Sequence, residues 1–165
     1  MRVLVAPQEY KGSLTATEAA RIISEGVRAA LPGADVAAAP VSDGGPGLLD
    51  VVLGTAGAKP MTARVHDPLG RPIDAAWALL PDGVGVIEMA AASGLALVAA
   101  AERRPLEAST YGTGELIGAA LDQGCRELVV GAGGSATTDA GAGALQALGI
   151  RLLDAVGDGL PPGGG

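Results

Sequence analysis

Three consecutive segments constrain this chain most: the apolar run Glu127-Leu128-Val129-Val130, the stretch GAGGSATTDAGAG at 131–143, and the helix-like Ala144-Leu145-Gln146-Ala147-Leu148. The order is strand, glycine loop, helix start. Its five glycines remove Cβ atoms where a ligand would otherwise meet a side chain, and they permit positive φ. Backbone N–H groups in such a loop can point at an anion, and the following helix N-terminus adds about half a positive charge. Ser135, Thr137 and Thr138 add hydroxyl donors. Asp139 adds the only carboxylate, suited to magnesium or to a substrate hydroxyl. The loop matches neither the P-loop pattern nor a clean GxGxxG, so a plain glycine turn capped by Ser or Asp is the competing reading.

The start of the chain shows the same logic twice. Val3-Leu4-Val5-Ala6 is a continuous apolar run ended by Pro7, the pattern of a central parallel strand buried on both faces. After a loop through Lys11, Thr15 and Glu18 form a T-x-x-E capping box. Ala19, Ile22, Ile23, Gly26, Val27, Ala30 and Leu31 then recur at helical spacing and predict one apolar face. Pro32-Gly33 stops that helix. A second strand is expected over 36–41, a turn at Ser42-Asp43-Gly44-Gly45-Pro46-Gly47, and a helix over 48–53. Strand, loop, helix, repeated, is the opening of a doubly wound α/β domain, whose ligands bind at the carboxyl ends of the strands. The loops around Lys11 and Asp43 both lie at such ends.

Between 61 and 89 the pattern changes to three strands (61–66, 73–80, 84–89) separated by the turn signals Asp67-Pro68-Leu69-Gly70 and Pro81-Asp82-Gly83. This predicts an antiparallel meander. A helix follows Thr110-Tyr111-Gly112-Thr113-Gly114, with Gly124 just past its end. A last short strand is expected over 150–153. The fold class expected is therefore α/β: a Rossmann-like or flavodoxin-like parallel sheet with helices, plus a β-rich insertion belonging to a second α/β domain. The segments are 1–58, 59–153, and a Gly/Pro tail at 154–165. That tail predicts a truncation point and a fold incomplete at its C-terminus.

Bulk properties exclude several partners. A net charge of −7 argues against nucleic acid and against an anionic membrane, both of which need basic surface. The apolar-rich run at 89–101 is too short to span a bilayer. The N-terminus passes directly into a strand without a signal peptide, and the single Cys125 suits a reducing compartment. A cytoplasmic protein is expected, with homo-oligomerisation left open. Cys125 reads as a small semi-buried residue. His66, the only histidine, reads as a turn residue without a functional partner.

Four segments together resemble the bacterial glycerate kinase family. Ala6-Pro7-Gln8-Glu9-Tyr10-Lys11-Gly12-Ser13-Leu14 is similar to the family's APDSFKGSL, and Ser42-Asp43-Gly44-Gly45-Pro46-Gly47 to ADGGEGT. Ser109-Thr110-Tyr111-Gly112-Thr113-Gly114-Glu115-Leu116-Ile117 is the third segment. The fourth is the glycine loop, similar to GGSATNDGGAG. Val86-Ile87-Glu88-Met89-Ala90 also fits. The segments run in family order over essentially the whole chain. The resemblance implies ATP-dependent phosphorylation of D-glycerate at the 2-hydroxyl, with Mg2+, in a two-domain α/β protein substantially longer than 165 residues. The chain departs from the family pattern at Gln8-Glu9-Tyr10, at Pro46 in place of an acid, at Leu48 and Thr138, and at Ala140 in place of Gly. The last is compatible only with a negative φ at Ala140.

Phosphoryl transfer needs a cation on the phosphates, a carboxylate for the metal, and an orienter for the attacking hydroxyl. In the resembling motifs Lys11 is the cation and Asp43 the metal ligand or base, against the plainer reading of Asp43 as an Asx-turn residue. Gly44 and Gly45 flank it. Ser13 donates to substrate or caps a helix. Gly133, Gly134, Ser135 and Thr137 cradle a substrate carboxylate or a nucleotide phosphate. Asp139 orients a hydroxyl, holds metal, or serves as a helix N-cap. Glu88 ends a strand in apolar surroundings, where burial would raise its pKa, and it is grouped with these residues as a substrate- or phosphate-binding candidate. The alternatives are a catalytically inactive anion- or nucleotide-binding remnant of the family, and a Rossmann-type dehydrogenase. The first βα turn lacks the latter's GxGxxG.

Overall fold

The computed structural model describes residues 1–55 and 57–165. Its elements are β1 (Arg2–Val5), α1 (Ala16–Ala30), β2 (Asp35–Ala38), α2 (Leu48–Leu53), β3 (Lys59–His66), β4 (Pro72–Leu79), β5 (Val84–Glu88), α3 (Ala90–Ser93), α4 (Tyr111–Asp122), β6 (Glu127–Gly131) and α5 (Ala142–Ala147). β1 and β2 form a parallel two-stranded sheet, with Val3 beside Val36 and Val5 beside Ala38. The other four strands form one sheet in the order β3-β4-β5-β6. Its first three are antiparallel and β6 joins β5 in parallel. The α/β class and the meander are as expected.

The core lies between this larger sheet and α4. Trp77, Ile87, Leu116, Val65 and Cys125 are all 2% exposed or less, and they pack with Ala75, Ala92 and Ala120 as one cluster. Alanines let α4 approach the sheet closely, and Trp77 supplies the volume that an aromatic-poor chain otherwise lacks. Cys125 is fully buried in that cluster. The parallel β5–β6 step places α4 over the sheet and delivers the chain to the glycine loop at the carboxyl end of β6.

Three expectations change. β1 is not buried on both faces: Leu4 is 67% exposed while Val5 is buried. A sheet of two strands with α1 on one side covers only one face. On α1 the capping box forms, with Thr15 Oγ1 accepting from Glu18 N and the Glu18 carboxylate accepting from Thr15 N. Its buried stripe, however, is the narrow Ala16, Ala19, Ala20 and Ser24. Ile22, Ile23 and Leu31 stay 38–44% exposed, because the helix rests on the sheet through its small residues. The segment 150–153 is not a strand. Leu153 makes only an isolated bridge to Gly159, because Asp154 turns the chain back, its Oδ1 accepting from Val156 N and Asp158 N at 2.9 Å each. The Gly/Pro tail is also docked: Gly164 N and Gly165 N donate to Leu106 O, and Gln146 Nε2 donates to Leu160 O.

Leu116 tests this core. It is completely buried on α4 against the sheet, so Leu116→Ala is expected to cost about 3 kcal/mol, measured as a shift in the urea unfolding midpoint at unchanged m-value.

Candidate functional site

Two βα loops converge at the carboxyl ends of β1 and β2. In the first, Ser13 N and Leu14 N donate to Tyr10 O at 2.8 and 3.1 Å, and Gly12 takes a φ of +72°. Lys11 therefore sits exposed on a tight turn. In the second, Asp43 Oδ1 accepts from Gly45 N at 2.9 Å and Ser42 Oγ accepts from Gly44 N at 3.1 Å. The Asx turn expected for Asp43 is thus present, and it engages one carboxylate oxygen only. Lys11, Asp43 and Glu9 line a single cavity of about 40 Å³. Ser13 is exposed and lies outside that lining.

The Asp43 turn rests directly on the glycine loop. Gly133 N donates to Gly44 O at 3.0 Å. A Cβ built on Gly131 would lie 2.5 Å from Gly44 O, and one on Gly133 would lie 2.5 Å from Gly45 Cα. The missing Cβ atoms at these two glycines serve loop-to-loop contact, where the sequence pointed to a ligand. At Gly134 an added Cβ would meet the Pro46 ring at 2.9 Å, so Pro46 packs on the glycine loop. Ser135 and Thr137 continue along its exposed side. Their hydroxyls pair at 2.8 Å, and Thr137 N donates to Ser135 Oγ at 3.0 Å.

Glu88 and Asp139 both act on helix starts. Glu88 ends β5, and its Oε2 accepts from Leu49 N at 3.1 Å at the start of α2. Burial, the largest influence, raises its pKa above the ordinary value, as expected. N–H groups of Leu49, Gly47 and Leu48 act in the opposite direction, and the Glu9 charge adds to the rise. Asp139 is 5% exposed. Its Oδ2 accepts from Thr110 N and Thr110 Oγ1 at 2.8 Å each and from Gly143 N at 3.1 Å, while Oδ1 accepts from Gly141 N at 3.2 Å. Burial pushes its pKa up, but these donors outweigh it and hold it below the ordinary aspartate value. The carboxylate therefore bridges the starts of α4 and α5, behind the glycine loop and apart from the Lys11–Asp43 cavity. The N-cap alternative fits this geometry.

Ala140 takes a φ of +52°, where its methyl is strained by about 1 kcal/mol. A negative φ was the sequence expectation. The Asp139 clamp and Gly141, at φ +84°, hold the turn in the left-handed region.

Two features escaped the sequence. Glu9 shares the Lys11–Asp43 cavity. His66 is the last residue of β3 and is not a partnerless turn residue. Its Nδ1 lies 2.9 and 3.1 Å from the two Glu115 carboxylate oxygens, and its backbone N–H donates to Glu115 at 2.7 Å. Forty-nine residues separate the pair, which meets only because α4 packs on β3. His66 lines a cavity of about 670 Å³.

Fold and loops thus define an α/β protein in which two glycine-bearing turns abut at strand ends beside a lysine and two carboxylates. The chain belongs to the glycerate kinase family, whose family model matches residues 3–165. It is 49% identical to a glycerate kinase of Bacillus subtilis and 45% identical to a glycerate 2-kinase of Escherichia coli K12, in each case over 100% of this chain and 44% of the relative. A crystal structure described as glycerate kinase 2 from Salmonella typhimurium LT2 superposes with a TM-score of 0.85 at 44% identity, covering 99% of this chain and 44% of that one. The chain therefore spans less than half the length of these relatives. No helix among the described residues is long and apolar enough to cross a membrane.

Two outcomes follow from this geometry. Ala140→Gly is expected to raise stability by about 1 kcal/mol, read as an upward shift in thermal midpoint. For Asp139 the folded pKa lies below the unfolded value. Its contribution is therefore fully present above pH 3.8 and lost as pH falls below that toward the folded value. Asp139→Ala is expected to cost about 3 kcal/mol at pH 7 and to flatten the acid limb of the unfolding curve below pH 3.8.

Proposed function

We propose that this chain carries glycerate kinase chemistry: ATP-dependent phosphorylation of D-glycerate at its 2-hydroxyl, with Mg2+, in the cytoplasm. The observation that carries the reading is the shared cavity of Lys11 and Asp43. Two loops 32 residues apart in sequence bring a cation and a carboxylate together at the carboxyl ends of parallel strands, where α/β folds bind their ligands. The names of the relatives supply the reaction.

The roles follow from what each group can reach. Lys11, exposed on its turn, neutralises a phosphate oxygen as a point charge. Asp43 Oδ1 is held by Gly45 N, which fixes the carboxylate and leaves Oδ2 to take a proton from the attacking hydroxyl or to face a cation. Asp43 and Glu9 are hard oxygen donors of the kind Mg2+ takes, and that ion would offset charge on the transferred phosphoryl group. No group of three or more His, Cys, Asp or Glu side chains forms a ligand set among the described residues. Phosphates and water would thus complete the coordination, as they do in most nucleotide-dependent Mg2+ sites. Gly44 and Gly45, backed by Gly133, and Gly134 beside Pro46 place main chain without side chains along this edge. Ser135 and Thr137 add hydroxyls on the exposed side of the same loop.

Glu88 and Asp139 enter this reading as positioning residues, one at the start of α2 and one behind the glycine loop. The division near residue 58, between the two sheets, belongs to the same proposal: the first segment presents Lys11 and Asp43, and the second presents the glycine loop.

A coupled ADP-release assay on the purified chain with ATP, Mg2+ and D-glycerate tests the reading. Glycerate-dependent turnover is expected, falling at least about a hundredfold in Lys11→Ala, which removes phosphate neutralisation of about 3 kcal/mol. ATP consumption that ignores D-glycerate, or turnover untouched by Lys11→Ala, would overturn it.

A further inference from the structure

Two positions around the small cavity differ from the glycerate kinase pattern in opposite ways. Glu9 stands where APDSFKGSL has Ser, and Pro46 stands where ADGGEGT has Glu. An acid is gained in one loop and lost in the other. Resting on the kinase reading above, we propose that Glu9 supplies, from the β1–α1 loop, the carboxylate that the pattern carries at position 46. Residues 9 and 46 are then alternative anchors for one acid beside Asp43.

Three observations carry this. First, Glu9 and Pro46 line the same cavity of about 40 Å³ as Lys11 and Asp43. Second, two carboxylates bracket residue 46. A Cβ built on Gly45 would lie 3.0 Å from Asp43 Oδ1, and one built on Gly47 would lie 3.4 Å from Glu9 Oε2. The Glu9 headgroup thus reaches the main chain next to residue 46 from the other loop. Pro46 turns its ring to the glycine loop, 2.9 Å from where a Cβ on Gly134 would stand. It brings neither a charge nor an N–H to the cavity.

Third, the Glu9 carboxylate contributes nothing to the fold. Glu9 is half-buried, yet the amides around it serve other acceptors: Gly44 N donates to Ser42, Gly45 N to Asp43 and Leu49 N to Glu88. No ion pair among the described residues includes Glu9. Its charge also works against Glu88, which it pushes toward the protonated form. A carboxylate without a partner, beside other acids, costs stability. Such costs are kept where activity needs the group.

The test is a double-mutant cycle on the full chain at positions 9 and 46, read by glycerate-dependent ADP release and by thermal midpoint. Glu9→Ser is expected to lower turnover at least about tenfold while leaving the midpoint unchanged or raised. A residue that only supports the fold would not give that combination. Adding Pro46→Glu to Glu9→Ser is expected to restore turnover to within about threefold of the starting chain. Adding Pro46→Gln, similar in shape without the charge, should not. Pro46→Glu alone sets two acids in one space. Its midpoint loss should exceed the loss from the same substitution in Glu9→Ser by about 2 °C, and the excess should shrink in about 1 M salt. Asp50→Asn removes an exposed acid of α2 outside the cavity and should leave turnover unchanged.

Full turnover in Glu9→Ser would overturn the proposal and leave the kinase reading standing. So would rescue of Glu9→Ser by Gln8→Asp and not by Pro46→Glu, which would place the acid's counterpart within the first loop. Additive midpoint changes would overturn the shared space independently of any activity. Coupled midpoints without glycerate-dependent turnover in the unmodified chain would reject the kinase reading and support the shared place of the two acids.

Discussion

The arrangement depends on a backbone-to-backbone contact. Gly44 and Gly45 of one turn lie against Gly131 and Gly133 of the other at distances that no Cβ would allow. The contact joins the β1–β2 unit to the carboxyl edge of the four-stranded sheet, and one hydrogen bond, Gly133 N to Gly44 O, fixes its register. Any side chain at Gly131 or Gly133 would have to displace main chain, not a flexible tip. The two loops therefore form one rigid ledge. On the kinase reading proposed above, such rigidity would serve the reaction, since catalysis of phosphoryl transfer is largely positioning.

The second constraint is electrostatic. Asp139 and Glu88 are carboxylates taken from water and set against helix starts, with opposite results for their pKa values. Asp139 receives five hydrogen bonds, from Ser109, Thr110, Gly141 and Gly143, enough to outweigh burial. Glu88 receives N–H groups from the start of α2, but burial and the neighbouring Glu9 prevail. The difference is one of supply: two hydroxyls, of Ser109 and Thr110, and three amides converge on Asp139, whereas Glu88 shares its surroundings with a second acid. Asp139 therefore holds the loop at neutral pH, while Glu88 favours its protonated form more than a solvated glutamate would.

Much of this was legible in the sequence where local chemistry decides the outcome. The T-x-x-E capping box, the Asx turn at Asp43, the meander and the strand–loop–helix at 127–147 all follow from short-range patterns. Failures came where distant segments meet. The sequence alone does not show that the space beside Gly131 and Gly133 is taken by Gly44 and Gly45, which lie almost ninety residues earlier. His66 looked partnerless because Glu115 reaches it only through the packing of α4 on β3. The Ile22 and Ile23 face looked buried because helical spacing reports an apolar stripe, not what is present to cover it. Ala140 was expected at negative φ from its side chain alone, and the Asp139 clamp overrode that preference.

The division of roles between the two loops bears on where chemistry and recognition sit. Lys11 and Asp43 are exposed groups on short turns around a cavity too small for more than a reacting group, and Asp43 is oriented by a single amide. The larger enclosed space lies elsewhere, around His66 and Tyr111, where α4 meets β3. Asp139 links the two regions mechanically, since the same carboxylate holds the residue preceding Tyr111 at the start of α4 and the turn that ends the glycine loop.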